Sequence, residues 1–126
     1  MTAIAVVLSA CHKQDPVVEL EKAAAAMEKV EATPAAPDTG PDPAPAGPPP
    51  AKQVKEALAD YKAGKMEDAV TRLQLLRAMP AMPPQQRMAL QDSIAAVMTE
   101  IYTLAEKGDP RAIAAVVQYE KMQNAR

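Results

Sequence analysis

The fold is decided by residues 57–76, which read ALADYKAGKMEDAVTRLQLL. Apolar side chains recur here every three or four residues, which is the spacing of one face of an α-helix. Gly64 interrupts the pattern, and a glycine just after the last periodic residue is typical of a helix end. The stretch therefore predicts two helices joined by a short turn, the first beginning near residue 51 and the second ending before Pro80.

The helical period continues to the end of the chain, and no longer stretch alternates apolar and polar residues as a β-strand would. A proline pair at 83–84 starts a third predicted helix, and Gly108-Asp109-Pro110 ends it and starts a fourth. The side chains predicted to face inward on these two helices are Leu90, Ile94, Val97, Met98, Ile101, Tyr102, Ala105, Ile113, Val116 and Val117. The predicted fold class is all-α, with residues 51–126 forming four antiparallel helices.

The first predicted helix pair resembles a tetratricopeptide repeat. In that family a small residue of the first helix, here Ala57, packs against a small residue of the second, here Ala69, and a glycine, here Gly64, makes the turn. Leu73 and Leu76 take the later apolar positions. Pro80 lies near the closing proline of the family, whereas Tyr61 lies one position later than its usual aromatic residue. Residues 83–126 repeat the order of helix, glycine and helix, with Gly108 44 residues after Gly64, and are repeat-like without matching the repeat.

The resemblance implies that the module receives a peptide or helix of another protein in a concave groove. The residues expected to reach such a surface are Tyr61, Lys62, Lys65 and Tyr102.

The chain opens with the short apolar run MTAIAVVLSAC, residues 1–11. A run this short cannot span a bilayer, which takes ~20 residues, but it fits the apolar part of a signal peptide. Leu8-Ser9-Ala10-Cys11 resembles the lipobox of bacterial lipoproteins. The resemblance implies that residues 1–10 are removed and that Cys11 carries acyl chains such as palmitate, which anchor the chain in the cell envelope. In some lipoproteins an aspartate directly after the acylated cysteine favours retention in the inner membrane. This chain has His12 at that position, so the outer membrane is the expected location.

Residues 11–32 are predicted to be an anchor followed by a partly formed helix. Asp15 and Pro16 suit a helix start, and an apolar stripe formed by Val17, Leu20, Ala24 and Met27 could support weak self-association. About 16 residues are marginal for an isolated helix in water. Residues 33–50 contain eight prolines and predict a disordered polyproline II linker. At ~3.1 Å per residue its contour is roughly 55 Å, enough to space the helices from a membrane.

Composition excludes several classes of function. The net charge of −2 argues against general nucleic-acid binding. One cysteine and one histidine exclude a disulfide framework and a Cys/His metal site within one chain. No catalytic constellation is apparent, so no enzyme, cofactor or metal is predicted.

The function predicted from the sequence is that of an envelope lipoprotein whose helical module mediates protein–protein interaction. Two alternatives stay open at this point. The chain could be a structural spacer or wall-associated lipoprotein without a specific ligand, or a soluble cytosolic helical adaptor.

Overall fold

The computed structural model describes residues 14–31, 48–80 and 82–125. These ranges form five helices, and no β-strand occurs in them, which confirms the prediction of an all-helical fold. The helices are α1 (Pro16–Glu31), α2 (Pro50–Lys62), α3 (Met66–Arg77), α4 (Pro84–Glu106) and α5 (Pro110–Asn124). Among these described residues no helix is both long and apolar enough to cross a lipid bilayer.

Proline marks the first residue of α1, α2, α4 and α5. A proline at this position costs no helical hydrogen bond, and its fixed φ already suits the helix. Aspartate caps two of these starts: Val17 N donates to Asp15 Oδ1 and Arg111 N donates to Asp109 Oδ1, each over 2.9 Å. The helix α3 begins without proline, and its first turn instead carries Glu67 and Asp68, whose charges suit the helix dipole.

The turn after α2 and the turn after α4 have the same backbone structure. Gly64 and Gly108 adopt φ values of 79° and 86°, which side chains rarely tolerate. After α2, Lys65 N donates to Asp60 O over 2.8 Å, and after α4, Asp109 N donates to Leu104 O over 3.0 Å. These bonds satisfy carbonyls that would otherwise lack a partner at the helix end. The repeated order of helix, glycine and helix in the sequence thus becomes a repeated turn.

The five helices pack in a closed ring. In order around the ring, α1 contacts α2, α2 contacts α3, α3 contacts α5, α5 contacts α4, and α4 contacts α1. The helices α3 and α4 also touch across the ring. No Cα atom of α2 comes within 8 Å of α4, because α1 lies between these two helices. The helix pairs α2–α3 and α4–α5 therefore meet through α3 and not through α2.

A single apolar core fills the ring and draws on every helix. Alanine and short aliphatic side chains dominate it, as the scarcity of aromatic residues requires. The core side chains that are fully buried include Leu20, Met27, Val54, Ala57, Leu90, Val97, Ile101, Ala112 and Ala115. Among the described residues, every buried polar side-chain atom has a hydrogen-bond partner.

The prediction that the first helix is partly formed and lies apart from the module is wrong. The helix α1 is complete over 16 residues and packs against α2 and α4. Its stripe is covered within the same chain, since Leu20, Ala24 and Met27 are buried, and it is not free for self-association. Tertiary packing supplies the stabilisation that an isolated helix of this length lacks.

Several sequence predictions fall outside the described residues. The proposed signal peptide, Cys11 and the greater part of the proline-rich segment, residues 32–47, are among them. The end of that segment is described, and Pro50 already belongs to α2. The segment joins two helices that contact each other, with Glu28 paired to Lys55 and Glu21 Oε1 lying 3.3 Å from Lys62 Nζ. A spacer between α1 and the remaining helices does not fit these contacts.

Candidate partner-binding surface

Tyr61 lies on the last turn of α2, where the start of α1 meets the middle of α4. Its half-buried ring lines a cavity of about 370 Å³ together with Asp15 and Glu100. Burial raises the pKa of Tyr61 to about 12, and the carboxylates of Glu100 and Asp15 add to the effect. The phenol therefore stays protonated where the three helices meet, and little of its ring is offered to a partner.

We expect the stability of the protein to fall between pH 10 and pH 12, partly because Tyr61 ionises. In the unfolded chain the phenol loses its proton near pH 10, whereas in the folded chain it keeps it to about pH 12. The folded state binds more protons in this interval, so its stability relative to the unfolded state is complete below pH 10 and decreases as the pH rises. Urea unfolding across this interval should show a shallower loss for Tyr61→Phe than for the wild type. Equal slopes would contradict the assignment.

Lys62 and Lys65 lie beside Tyr61 but differ in their surroundings. Lys62 Nζ is 3.3 Å from Glu21 Oε1, so this side chain helps to join α2 to α1. Lys65 is exposed in the turn between α2 and α3, and its carbonyl accepts the hydrogen bond of Ala69 N over 3.1 Å. Of these two candidates, Lys65 has the ammonium group that is more accessible to a partner.

Tyr102 lies on a different side of the molecule from these three residues. Glu100, which faces Tyr61, is only two positions away on α4, and two positions on a helix turn the side chain by roughly 200°. Burial raises the pKa of Tyr102, with smaller effects from Glu120 and Tyr119 of α5. The structure thus places Tyr102 at the junction of α4 and α5 and does not bring the four predicted residues together.

Exposed apolar side chains accompany Tyr102 at this junction. Ile113 and Val117 are one helical turn apart on α5, and they are 45% and 59% exposed, beside 41% for Tyr102. Tyr102 precedes Gly108 by six residues and Ile113 follows it by five, so the two lie at the same level of the helix pair. We call Tyr102, Ile113 and Val117 the α4–α5 apolar face.

The prediction that these three residues face the core is wrong. On α5 the buried positions are Ala112 and Ala115, and the larger residues beside them point outward. Small side chains allow α5 to pack closely on α3 and α4. The sequence does contain a pattern for the exposed residues, because the β-branched Ile113 and Val117 lie four positions apart after a helix start. Residues that face a core show the same spacing, so the pattern does not distinguish an exposed pair from a buried one.

Acidic and basic side chains elsewhere act mainly between helices. Arg72 of α3 joins both Glu56 and Asp60 of α2, with its Nη1 2.7 Å from Glu56 Oε2 and its Nε 3.2 Å from Asp60 Oδ2. Within the described ranges, no group of three or more His, Cys, Asp and Glu side chains could hold a metal ion.

No protein-family model matches the chain, and neither a curated protein nor a solved structure is significantly similar to it.

Proposed function

We propose that the protein is a bacterial envelope lipoprotein, held in the outer membrane by acyl chains on Cys11, whose helical body binds another protein. The lipobox-like Leu8-Ser9-Ala10-Cys11 supports the anchor. Two or more acyl chains make a stable anchor, since each buried methylene contributes about 0.8 kcal/mol. The α4–α5 apolar face supports the binding role.

The observation that carries the binding role is the exposure of three large apolar side chains on adjacent turns of α4 and α5. Exposed apolar side chains have an unfavourable free energy of hydration, which burial against a partner removes. Aromatic residues are also enriched in protein interfaces. The face is narrow and runs along a pair of helices. An amphipathic helix is the partner element that fits it best, with a basic side chain to meet Glu120 beside Tyr102.

The antiparallel pairing of α2 with α3 and of α4 with α5 belongs to the same proposal. The short turns at residues 63–65 and 107–109 support this pairing, because each joins two helices that contact each other. Ala57 of α2 and Ala69 of α3 are each fully buried, as the small residues of a tetratricopeptide-like unit are.

The anchor is tested by metabolic labelling with a clickable fatty acid. We expect the wild type to carry label and to sediment with outer membranes, and Cys11→Ala to lose the label and to leave the membrane fraction. Equal labelling of the two proteins would place the acyl chain elsewhere. An unlabelled wild type would end the lipoprotein proposal and would favour a soluble adaptor.

The binding role is tested by Val117→Asp, with Leu75→Asp as the matched control. The two side chains are equally exposed, at 59% and 58%, but Leu75 belongs to α3. We expect Val117→Asp to weaken capture of a stoichiometric crosslinked partner about tenfold, because central interface residues each contribute more than about 1 kcal/mol. Leu75→Asp should bind as the wild type does. The absence of any stoichiometric partner would favour a structural spacer instead.

A further inference from the structure

The helical body has two ends that differ in what they contain. At one end the start of α1 lies beside the end of α2, and the turn after α2 lies beside the start of α5. Asp15 lies near Tyr61, and a Cβ added at Gly64 would come within 2.5 Å of Arg111 Nη1. We call this the turn end, formed by residues 14–16, 61–65 and 107–111.

The opposite end contains the remaining connections. Gln86 Nε2, on the first turn of α4, donates to Met27 O near the end of α1 over 3.4 Å. Gln123 Nε2, near the end of α5, donates to Gln74 Oε1 near the end of α3 over 3.4 Å. We call this the open end, formed by residues 27–31, 48–53, 74–87 and 122–125.

The chain between Cys11 and the body is short. Five Cα–Cα steps separate Cys11 from Pro16, and at ~3.6 Å per step they reach at most about 18 Å. The distance from Pro16 to the open end is longer, because the 16 residues of α1 extend about 24 Å at ~1.5 Å per residue. An acyl anchor on Cys11 therefore cannot hold the chain with the open end on the bilayer and the turn end pointing away from it.

We infer that the turn end of the body rests on the phospholipid headgroups and that the open end points away from the bilayer. The inference depends on the acylation of Cys11 in the proposed function. Lys65 and Lys107 are exposed at the turn end, and long basic side chains interact favourably with anionic headgroups. In this arrangement the helical body lies directly on the membrane. The sequence alone predicted a body held away from the membrane by the proline-rich linker.

The orientation restricts the partner. Tyr102 and Ile113 lie within six residues of Gly108, which is about 9 Å along a helix. The α4–α5 apolar face thus begins at the bilayer surface. A protein that binds there must present its amphipathic helix at the same height, as a membrane protein or a second lipid-anchored protein does.

The test places a fluorophore at each end of the acylated, full-length protein. Cys11 is the single cysteine of the chain, so once it is acylated an introduced cysteine is the one free thiol. Lys107→Cys and Lys65→Cys mark the turn end, and Asn124→Cys and Ala78→Cys mark the open end; all four positions are exposed. The proteins are reconstituted in phosphatidylethanolamine and phosphatidylglycerol vesicles that contain lipids with a quencher on the headgroup.

We expect quenching at the turn end to be at least about twofold greater than at the open end, because the two ends of α5 alone are separated by about 20 Å. Equal quenching, or greater quenching at Asn124→Cys and Ala78→Cys, would overturn the orientation while leaving the anchor intact. Mass spectrometry of each protein beforehand separates that result from failure of the proposed function, which would show as an unmodified Cys11.

Discussion

Leu20→Ala is expected to lower the free energy of unfolding by about 2–5 kcal/mol, the range found for leucine-to-alanine changes in well-packed cores. Leu20 is fully buried where α1 packs on α2 and α4. Its removal leaves a cavity among helices that have few large side chains with which to fill it. Urea unfolding followed by circular dichroism measures the change.

Val18→Ala is the matched control for Leu20→Ala. Val18 belongs to the same helix but is 44% exposed, so its truncation should change the free energy of unfolding by no more than about 0.5 kcal/mol. A Leu20→Ala protein as stable as the Val18→Ala protein would show that α1 does not belong to the core.

Ala57→Leu is expected to destabilise the protein by about 1–3 kcal/mol, because a larger side chain in a filled core forces neighbouring side chains or backbone to move. Ala57 is fully buried on α2, and Ala69 is fully buried on α3, the helix that packs against it. The two helices have no space for three further carbon atoms at this position. Thermal and urea unfolding measure the loss.

Ala59→Leu provides the control, since Ala59 is exposed on the same helix. Alanine and leucine have similar helix propensities, so this protein should unfold within about 0.5 kcal/mol of the wild type. If both leucine variants were equally stable, the close packing of α2 on α3 at Ala57 would be refuted.

Helix boundaries could be predicted from the sequence because they depend on local chemistry. Pro16, Pro84 and Pro110 fix a favourable φ at helix starts, and Gly64 and Gly108 adopt the positive φ that ends a helix. These effects act within a few residues and need no knowledge of the rest of the molecule. The all-helical fold follows from them and from the apolar period.

Packing partners could not be predicted in the same way. The apolar stripe of α1 indicates that this helix packs against another apolar surface. Its spacing does not identify that surface as a second copy of the chain, a membrane or α4. On α5 the alanines at 112 and 115 and the β-branched residues at 113 and 117 both repeat with a helical period. The structure selects the alanines for the core because α5 approaches α3 and α4 closely.

The candidate site was predictable only in part for the same reason. Lys65 is exposed as expected, and the exposure of Tyr102 fits its prediction as a binding residue but not its prediction as a residue that faces inward. Tyr61 is half-buried, and Lys62 pairs with Glu21. Whether two side chains share a surface depends on which sides of α4 they occupy, and that is set by packing between distant parts of the chain.

The contact of α1 with α4 also has a consequence for the order of events during synthesis. Met27 and Gln86 are 59 residues apart in the chain, so α1 gains its full set of neighbours only after most of the polypeptide has been made. Bringing such distant segments together slows folding. The helix α1 is then among the last elements to become fully structured.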